Sequence, residues 1–355
     1  MTDAAEPAAA VPARALAVWL APLVGGLHGP LRVETLAGGS SNLTFRVRDD
    51  DHDWVLRRPP LSHVLPTAND MVREHRVQRA LGPTAVPVAA MVALCEDPAV
   101  IGAPFYVMEH VEGRIYAQPA DVADLSPAEA RAATDELIDV LAGIHTLDWA
   151  ALGLADLGRP DGFCERQVGR WRSQWERSTR FAVPAVEEVV GRLARAVPTT
   201  SRHALVHGDY NFGNAMFALD RPARMVAVLD WEMSTLGDPL CDLGMVAVYW
   251  AEAGELLSRN RPPQAHRGRP GFPPVDVLLD RYATATGAGL EEIDFYRVLA
   301  VLKLAVICQG AYARLEQADP DRAATTRTTV EDLAALALDL AQGSSLPALS
   351  GRRAG

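Results

Sequence analysis

LVHGDYNFGNAMF (Leu205–Phe217) and, after a short gap, MVAVLDWEMSTLGDPLCDLG (Met225–Gly244) decide the reading of this chain. Two apolar runs of β type, Leu205–Val206 and Met225–Leu229, each lead into a carboxylate, Asp209 and Asp230. Asn214 stands between them, five positions after Asp209. Loops at strand ends are where side chains from separate segments can converge.

Asp, Asn and a second Asp in this order are the groups that phosphoryl transfer needs. One carboxylate would orient an attacking hydroxyl and accept its proton, a role Asp209 is placed to fill. The Asn214 amide oxygen and the Asp230 carboxylate are hard oxygen ligands suited to Mg²⁺.

HGDYNFGN followed by LDWE and DPLCDL resembles the aminoglycoside phosphotransferase superfamily, which shares the protein-kinase-like fold. The wording is most similar to the kinase-like branch found alone in bacteria or fused to acyl-CoA dehydrogenases. The resemblance implies an α+β, two-lobed protein-kinase-like fold, with a small antiparallel-sheet N-lobe and a mainly helical C-lobe. It implies an N-lobe over 13–110 and a C-lobe over 111–345, while the Ala- and Pro-rich residues 1–12 read as a disordered tail and residues 346–355 as a polar tail. It also implies ATP as co-substrate, with GTP left open, Mg²⁺, and a small-molecule hydroxyl acceptor. His207 would brace the catalytic loop, and Asp242 of the DPLCDL run would anchor it. Asp238 and Asp242 are alternatively plain helix N-terminal acids.

The N-terminal half supplies matching landmarks. Arg14–Leu27 reads as a short packing helix stopped by Gly25 and Gly26. Leu31–Val47 reads as strand, turn, strand, and Gly39, Ser40, Ser41 and Asn42 in the turn could admit phosphate oxygens to backbone N–H groups. A plain hairpin turn has the same composition. DWVLRR (Asp53–Arg58) is a basic strand whose alternation places Val55 and Arg57 on one face. Where kinases carry Lys, this chain offers Arg57, with Arg58 as the second choice; Val55 would pack on adenine. Glu74, on a helix expected from an Asn69 cap to Gly82, is the partner of Arg57, or else a surface ion pair. Val86–Ala93 and Phe105–His110 complete the sheet. By resemblance, Glu109 and Val111 would offer backbone bonds to the adenine edge.

The C-terminal half reads as helical. Ser126–Glu129 forms a capping box, Arg166–Arg180 a Trp- and Arg-rich helix, Glu291–Glu316 a long apolar helix, and Thr326–Ala341 a last helix before a polar tail. His145 is expected to pack rather than catalyse. Arg259–Pro274 is either a disordered insertion or a lid over substrate.

Composition sets the outer limits. A chain of 355 residues exceeds one ordinary core, and 49% apolar residues allow a large interior. The net charge of −11 excludes nucleic acid and anionic membrane as favoured partners. Four dispersed cysteines, the absence of a basic leader and the lack of an uninterrupted apolar span point to a cytoplasmic protein with no membrane partner. The resemblance to the dehydrogenase-fused branch implies a hydroxyacyl-CoA or other hydroxylated metabolite as acceptor, ahead of an aminoglycoside, for which the C-terminal region shows no acidic cluster to meet a polycation. A nucleotide-binding pseudokinase or scaffold is the reading from another class.

Overall fold

The computed structural model describes residues 10–36, 42–61, 70–199, 202–260 and 263–352. The chain divides into two units. The first holds the described residues up to Gly113 together with Leu152–Leu154 and Val226–Ser234, and the second holds the rest.

In the first unit, helix α1 (Ala13–Leu20) precedes strands β1 (Arg32–Leu36), β2 (Leu43–Arg48) and β3 (Asp53–Arg58). Helix α2 (Met71–Leu81) and strands β4 (Met91–Cys95) and β5 (Phe105–Glu109) follow. The strands form one antiparallel sheet in the order β1-β2-β3-β5-β4. Alternation along β3 sorts its side chains between two environments. Trp54 and Leu56 join Phe45, Val47, Phe105 and Val107 in a core closed by Leu16 and Leu20 of α1. The register pairs Val55 with Met108 and Arg57 with Tyr106, so these four share the opposite face. Removing a buried aromatic such as Trp54 from the first face would cost about 3–5 kcal/mol.

Several boundaries differ from expectation. Ala10 and Val11, assigned to a free tail, are buried in the α1 core. The strand expected over Val86–Ala93 starts only at Met91. Asn69 lies outside the described residues; α2 is capped by Asp70, whose side chain accepts the Arg73 N–H at 3.0 Å. Gly39, Ser40 and Ser41 also lie outside them.

The second unit carries β6 (Arg114–Ile115), α3 (Pro127–His145), α4 (Phe163–Ser178), α5 (Pro184–Arg195), β7 (Ala204–Val206) and β8 (Ala215–Phe217). Strand β9 (Met225–Val228) leads into the segment that belongs to the first unit. Then come β10 (Thr235–Gly237), α6 (Leu240–Trp250), α7 (Glu252–Leu257), α8 (Val275–Thr286), α9 (Ile293–Ala318), α10 (Pro320–Gly343) and α11 (Pro347–Ser350). Ser126 and Glu129 make the expected reciprocal capping box on α3.

The last long helix begins at Pro320, six residues before the expected Thr326, because Asp319 caps it by accepting the Arg322 N–H. The polar tail is also shorter than expected: Leu349 of α11 is fully buried, and Arg192 donates to its carbonyl at 2.9 Å. Helix α9 is long and apolar enough to cross a membrane by length and composition, which the sequence reading did not register. Most of that apolar window is buried inside the protein, so its apolar character has a packing reason.

The described part of Arg259–Pro274 is packed rather than a disordered insertion. His266 stacks on Trp250 with ring centroids 4.1 Å apart, and Trp250 Nε1 donates to Pro273 O at 2.8 Å. A Cβ on Gly271 (φ 93°) would stand 2.3 Å from Pro127 O, so only glycine fits that close approach.

Candidate active site

The first unit gathers its charges around Arg57. Arg57 Nε lies 3.2 Å from Glu74 Oε1, its Nη2 donates to Asp230 Oδ1, and Glu232 Oε2 lies 3.8 Å away. Glu232 in turn accepts from Asn42 Nδ2 at 3.0 Å. Three carboxylates therefore face one guanidinium. Burial alone would lower Arg57, but Glu74 and Asp230 hold it above its usual range. Burial pushes the Glu74 carboxyl up to about 7, against the pull of Arg57 and with a further push from Asp230. Glu74 is 1% exposed, and neither of its oxygens has a well-aligned hydrogen bond among the described residues.

Arg58 points the other way. It is buried and donates to the backbone carbonyls of Ala10 and Ile101. The alternation of β3 thus separates the two arginines, and only Arg57 reaches the carboxylates.

Asp230 has φ 64° and ψ 60°, the one non-glycine residue in the left-handed region among the described residues. Such a conformation persists where the surroundings over-determine it, and it clusters at functional sites. Here the surroundings are specific. Val228 N–H donates to Pro87 O at 2.8 Å, buried Trp231 donates to Val228 O at 3.0 Å, and Arg73 donates to Ser234 O at 2.8 Å.

The nucleotide-edge candidates fall at the end of β5. Val55 is buried. Glu109 accepts from Trp54 Nε1 at 3.3 Å, while its own N–H is taken by Ala90 O at 2.9 Å. The Glu109 N–H is therefore already engaged within the protein.

The second unit holds Asp209. Gly208 adopts φ 90° to turn the chain out of β7. Asp242 Oδ2 accepts the His207 N–H at 2.6 Å, and its Oδ1 accepts the Gly208 N–H at 2.8 Å. His145 supports Asp242 from behind, with Nε2 at 3.2 Å from Oδ2 and Nδ1 at 2.7 Å from the Tyr282 hydroxyl. Burial works against the Asp242 charge, but His145 and the backbone N–H groups keep its carboxyl below the usual range. Asp238, just before α6, accepts the Leu240 N–H at 3.0 Å and the Tyr296 hydroxyl at 2.7 Å.

Asp209 N–H donates to His207 Nδ1 at 3.3 Å. Asn214 Nδ2 donates to Asp209 O at 2.8 Å and lies 3.2 Å from Asp209 Oδ2. Asn214 Oδ1 has no hydrogen bond among the described residues. Asp209 Oδ1 and Asp230 Oδ2 are likewise unengaged there. No cluster of three or more His, Cys, Asp or Glu side chains suited to a metal exists among the described residues. Mg²⁺ needs no such cage, because one or two carboxylates beside phosphates and water suffice. Asp230 in the first unit, and Asp209 and Asn214 in the second, each offer an oxygen of the kind Mg²⁺ takes.

Two residues escaped the sequence reading. Glu232 bonds Asn42 and faces Arg57. Lys303 of α9 donates to Gly208 O at 2.6 Å. Its signal was compositional, for Lys303 is the only lysine in the chain.

An antiparallel five-stranded sheet carrying a buried Arg–Glu pair, and a helical unit carrying an HGD loop, define a kinase-like phosphotransferase fold. Residues 32–299 match the phosphotransferase enzyme family, and the chain belongs to it. It is 34% identical over 319 residues to acyl-CoA dehydrogenase family member 11 of Rattus norvegicus, a match covering 88% of this chain and 40% of the rat protein. The chain therefore spans about two fifths of that relative's length. A Ralstonia eutropha crystal structure, described as a candidate aminoglycoside phosphotransferase, matches with TM-score 0.79 and 34% identity. That match covers 92% of this chain and 98% of the other. A thermostable aminoglycoside phosphotransferase mutant in complex with ADP and hygromycin B matches with TM-score 0.59 and 15% identity, over 90% of this chain and 98% of that one, and shares the fold.

Proposed function

We propose that the protein is an ATP- and Mg²⁺-dependent small-molecule kinase that transfers the γ-phosphoryl group to a substrate hydroxyl. The observation that carries this reading is the Asp209–Asn214 pairing, which fixes one carboxylate oxygen and leaves the other open to an acceptor. Asp209 orients the acceptor hydroxyl and takes its proton as the new O–P bond forms. Asn214 and Asp230 supply the oxygens for Mg²⁺, which neutralises phosphate charge when bound. Arg57, fixed by Glu74, is the phosphate clamp, and a planar guanidinium suits two phosphate oxygens at once. Asn42 and the Gly39–Ser41 segment before it contact the phosphates, while Val55, Glu109 and Val111 receive the base.

The acceptor we favour is a hydroxyacyl-CoA or a related hydroxylated metabolite. Support comes from the relatives named as acyl-CoA dehydrogenase family members and from the absence of an acidic cluster in the C-terminal region. An aminoglycoside acceptor is the second reading, supported by the description of the Ralstonia eutropha structure.

Calorimetric titration of ATP with and without Mg²⁺, on wild type and Asp230→Ala, tests the proposal. Mg²⁺-dependent binding that weakens at least about tenfold in the variant is the expected result. An acceptor screen over hydroxyacyl-CoAs and aminoglycosides then ranks the substrates. A wild-type chain that binds no nucleotide would defeat the kinase reading and favour a scaffold.

A further inference from the structure

A buried cation in an apolar helix calls for a reason. Helix α9 is buried along most of its length, and Lys303 near its centre is 8% exposed. The chain has 33 arginines and this single lysine. Every other basic position, Arg57 included, uses a guanidinium. The two cations differ in shape: guanidinium is a flat fork, whereas ammonium is a compact point donor. The slot at Lys303 ends on one carbonyl, and the bond from Nζ to Gly208 O is the residue's only hydrogen bond among the described residues. The Trp171 ring lies beside it, with its centroid 5.9 Å from Nζ.

The approach of α9 to the loop is built in. A Cβ on Gly244 would stand 2.8 Å from the backbone and side chain of Tyr296, so α6 and α9 cross with no side chain between them. Tyr296 and Lys303 are seven residues apart, two helical turns along one stripe. The first reaches Asp238 and the second reaches Gly208. The Gly208 carbonyl belongs to the same peptide unit as the Asp209 N–H, which His207 Nδ1 accepts. That peptide is held at both edges, and the Asp209 side chain leaves from its end.

For stability alone, an apolar side chain would serve this slot better, since a buried ammonium with one partner is a poor exchange for hydration. Burial draws Lys303 below the usual lysine range, and Arg170 adds to this, while Asp209, Asp242 and Cys241 oppose it. We propose that Lys303 is a positioning residue for phosphoryl transfer, fixing through the Gly208 carbonyl the peptide from which the Asp209 carboxylate projects. The inference rests on the reading of Asp209 as the group that orients the acceptor hydroxyl.

The test is Lys303→Met in the full chain, which keeps an unbranched stem and removes the ammonium. Amide hydrogen exchange should rise at least about tenfold in peptides spanning residues 204–214, with the melting temperature unchanged or higher. Mg²⁺-dependent ATP turnover should fall about 100-fold, as for a misplaced catalytic group. Nucleotide affinity by calorimetry should hold within about twofold, so that the loss lies in kcat. Unchanged exchange over residues 204–214, or full turnover in the variant, would overturn the proposal. A lowered melting temperature with equal losses of binding and turnover would also overturn it, by making Lys303 purely structural. A wild-type chain with no turnover would remove the kinase reading, and the role in transfer with it. The exchange measurement tells that case apart, because the loop would still loosen in the variant.

Discussion

The HGD loop of the second unit and the Arg57 cluster of the first solve opposite problems. Around Asp209 the polar groups of the backbone are consumed: Asp242 takes two N–H groups, Lys303 holds a carbonyl, and Asn211 and Asn214 hold the next one. The loop is fixed by groups that never need to touch a substrate. Around Arg57 the accounting is left open. Three carboxylates face one cation, Glu74 is buried without a well-aligned hydrogen bond, and Asp230 sits in a left-handed conformation. A closed network holds geometry, whereas an open one with surplus negative charge is primed to take up a cation and exchange partners.

The largest effect should follow from opening the closed network. Asp242→Asn presents an amide N–H toward the N–H groups of His207 and Gly208, and should lower unfolding free energy by about 3–4 kcal/mol in urea melts. It should cost activity through the loop as well. A loss below about 1 kcal/mol would mean that Asp242 is an ordinary helix-start acid. The next effect comes from Arg57→Met, which leaves Glu74 buried without its cation and should cost about 3 kcal/mol. In the open cluster the cost is repulsion among carboxylates, so Arg57→Met combined with Glu74→Leu should recover most of it. Additive losses in the double variant would show that the pair acts by packing alone.

Much of this was legible in the sequence because it is local. The fold was implied by the family resemblance that the HGDYNFGN, LDWE and DPLCDL runs carry. Period-2 alternation on β3 put Val55 and Arg57 on one face without any tertiary information. What was hidden depends on distant partners. Glu74 sits among Arg73, His75 and Arg76, neighbours that suit a surface ion pair, and its pairing with Arg57 was expected only from its place after the basic strand; its burial is set by Arg57 and Tyr106 of the sheet and by Asp230, far along the chain. The Pro and Gly content of Arg259–Pro274 left a disordered insertion and a lid equally open, yet Trp250 and Phe212 supply an aromatic surface that local composition cannot reveal. Lys303 was masked by its own helix, where an apolar pattern drew attention away from the one residue that broke it.

The smallest effect is a pH dependence, and it probes the open cluster directly. The buried Glu74 carboxyl is raised from an ordinary value of 4.5 to about 7. Between those values the native chain holds a proton that the unfolded chain has released, so this group makes stability fall as pH rises through the window. The contribution is complete below pH 4.5 and is lost as pH passes about 7. Its steepest slope is about 1.4 kcal/mol per pH unit. Glu74→Gln keeps the shape and cannot ionise, so urea midpoints at pH 5 and pH 7 should differ in wild type and converge in the variant. A wild-type midpoint that is flat between those pH values would mean that Arg57 keeps Glu74 fully ionised. The cluster would then be as closed as the loop around Asp209, and the contrast between the two regions would disappear.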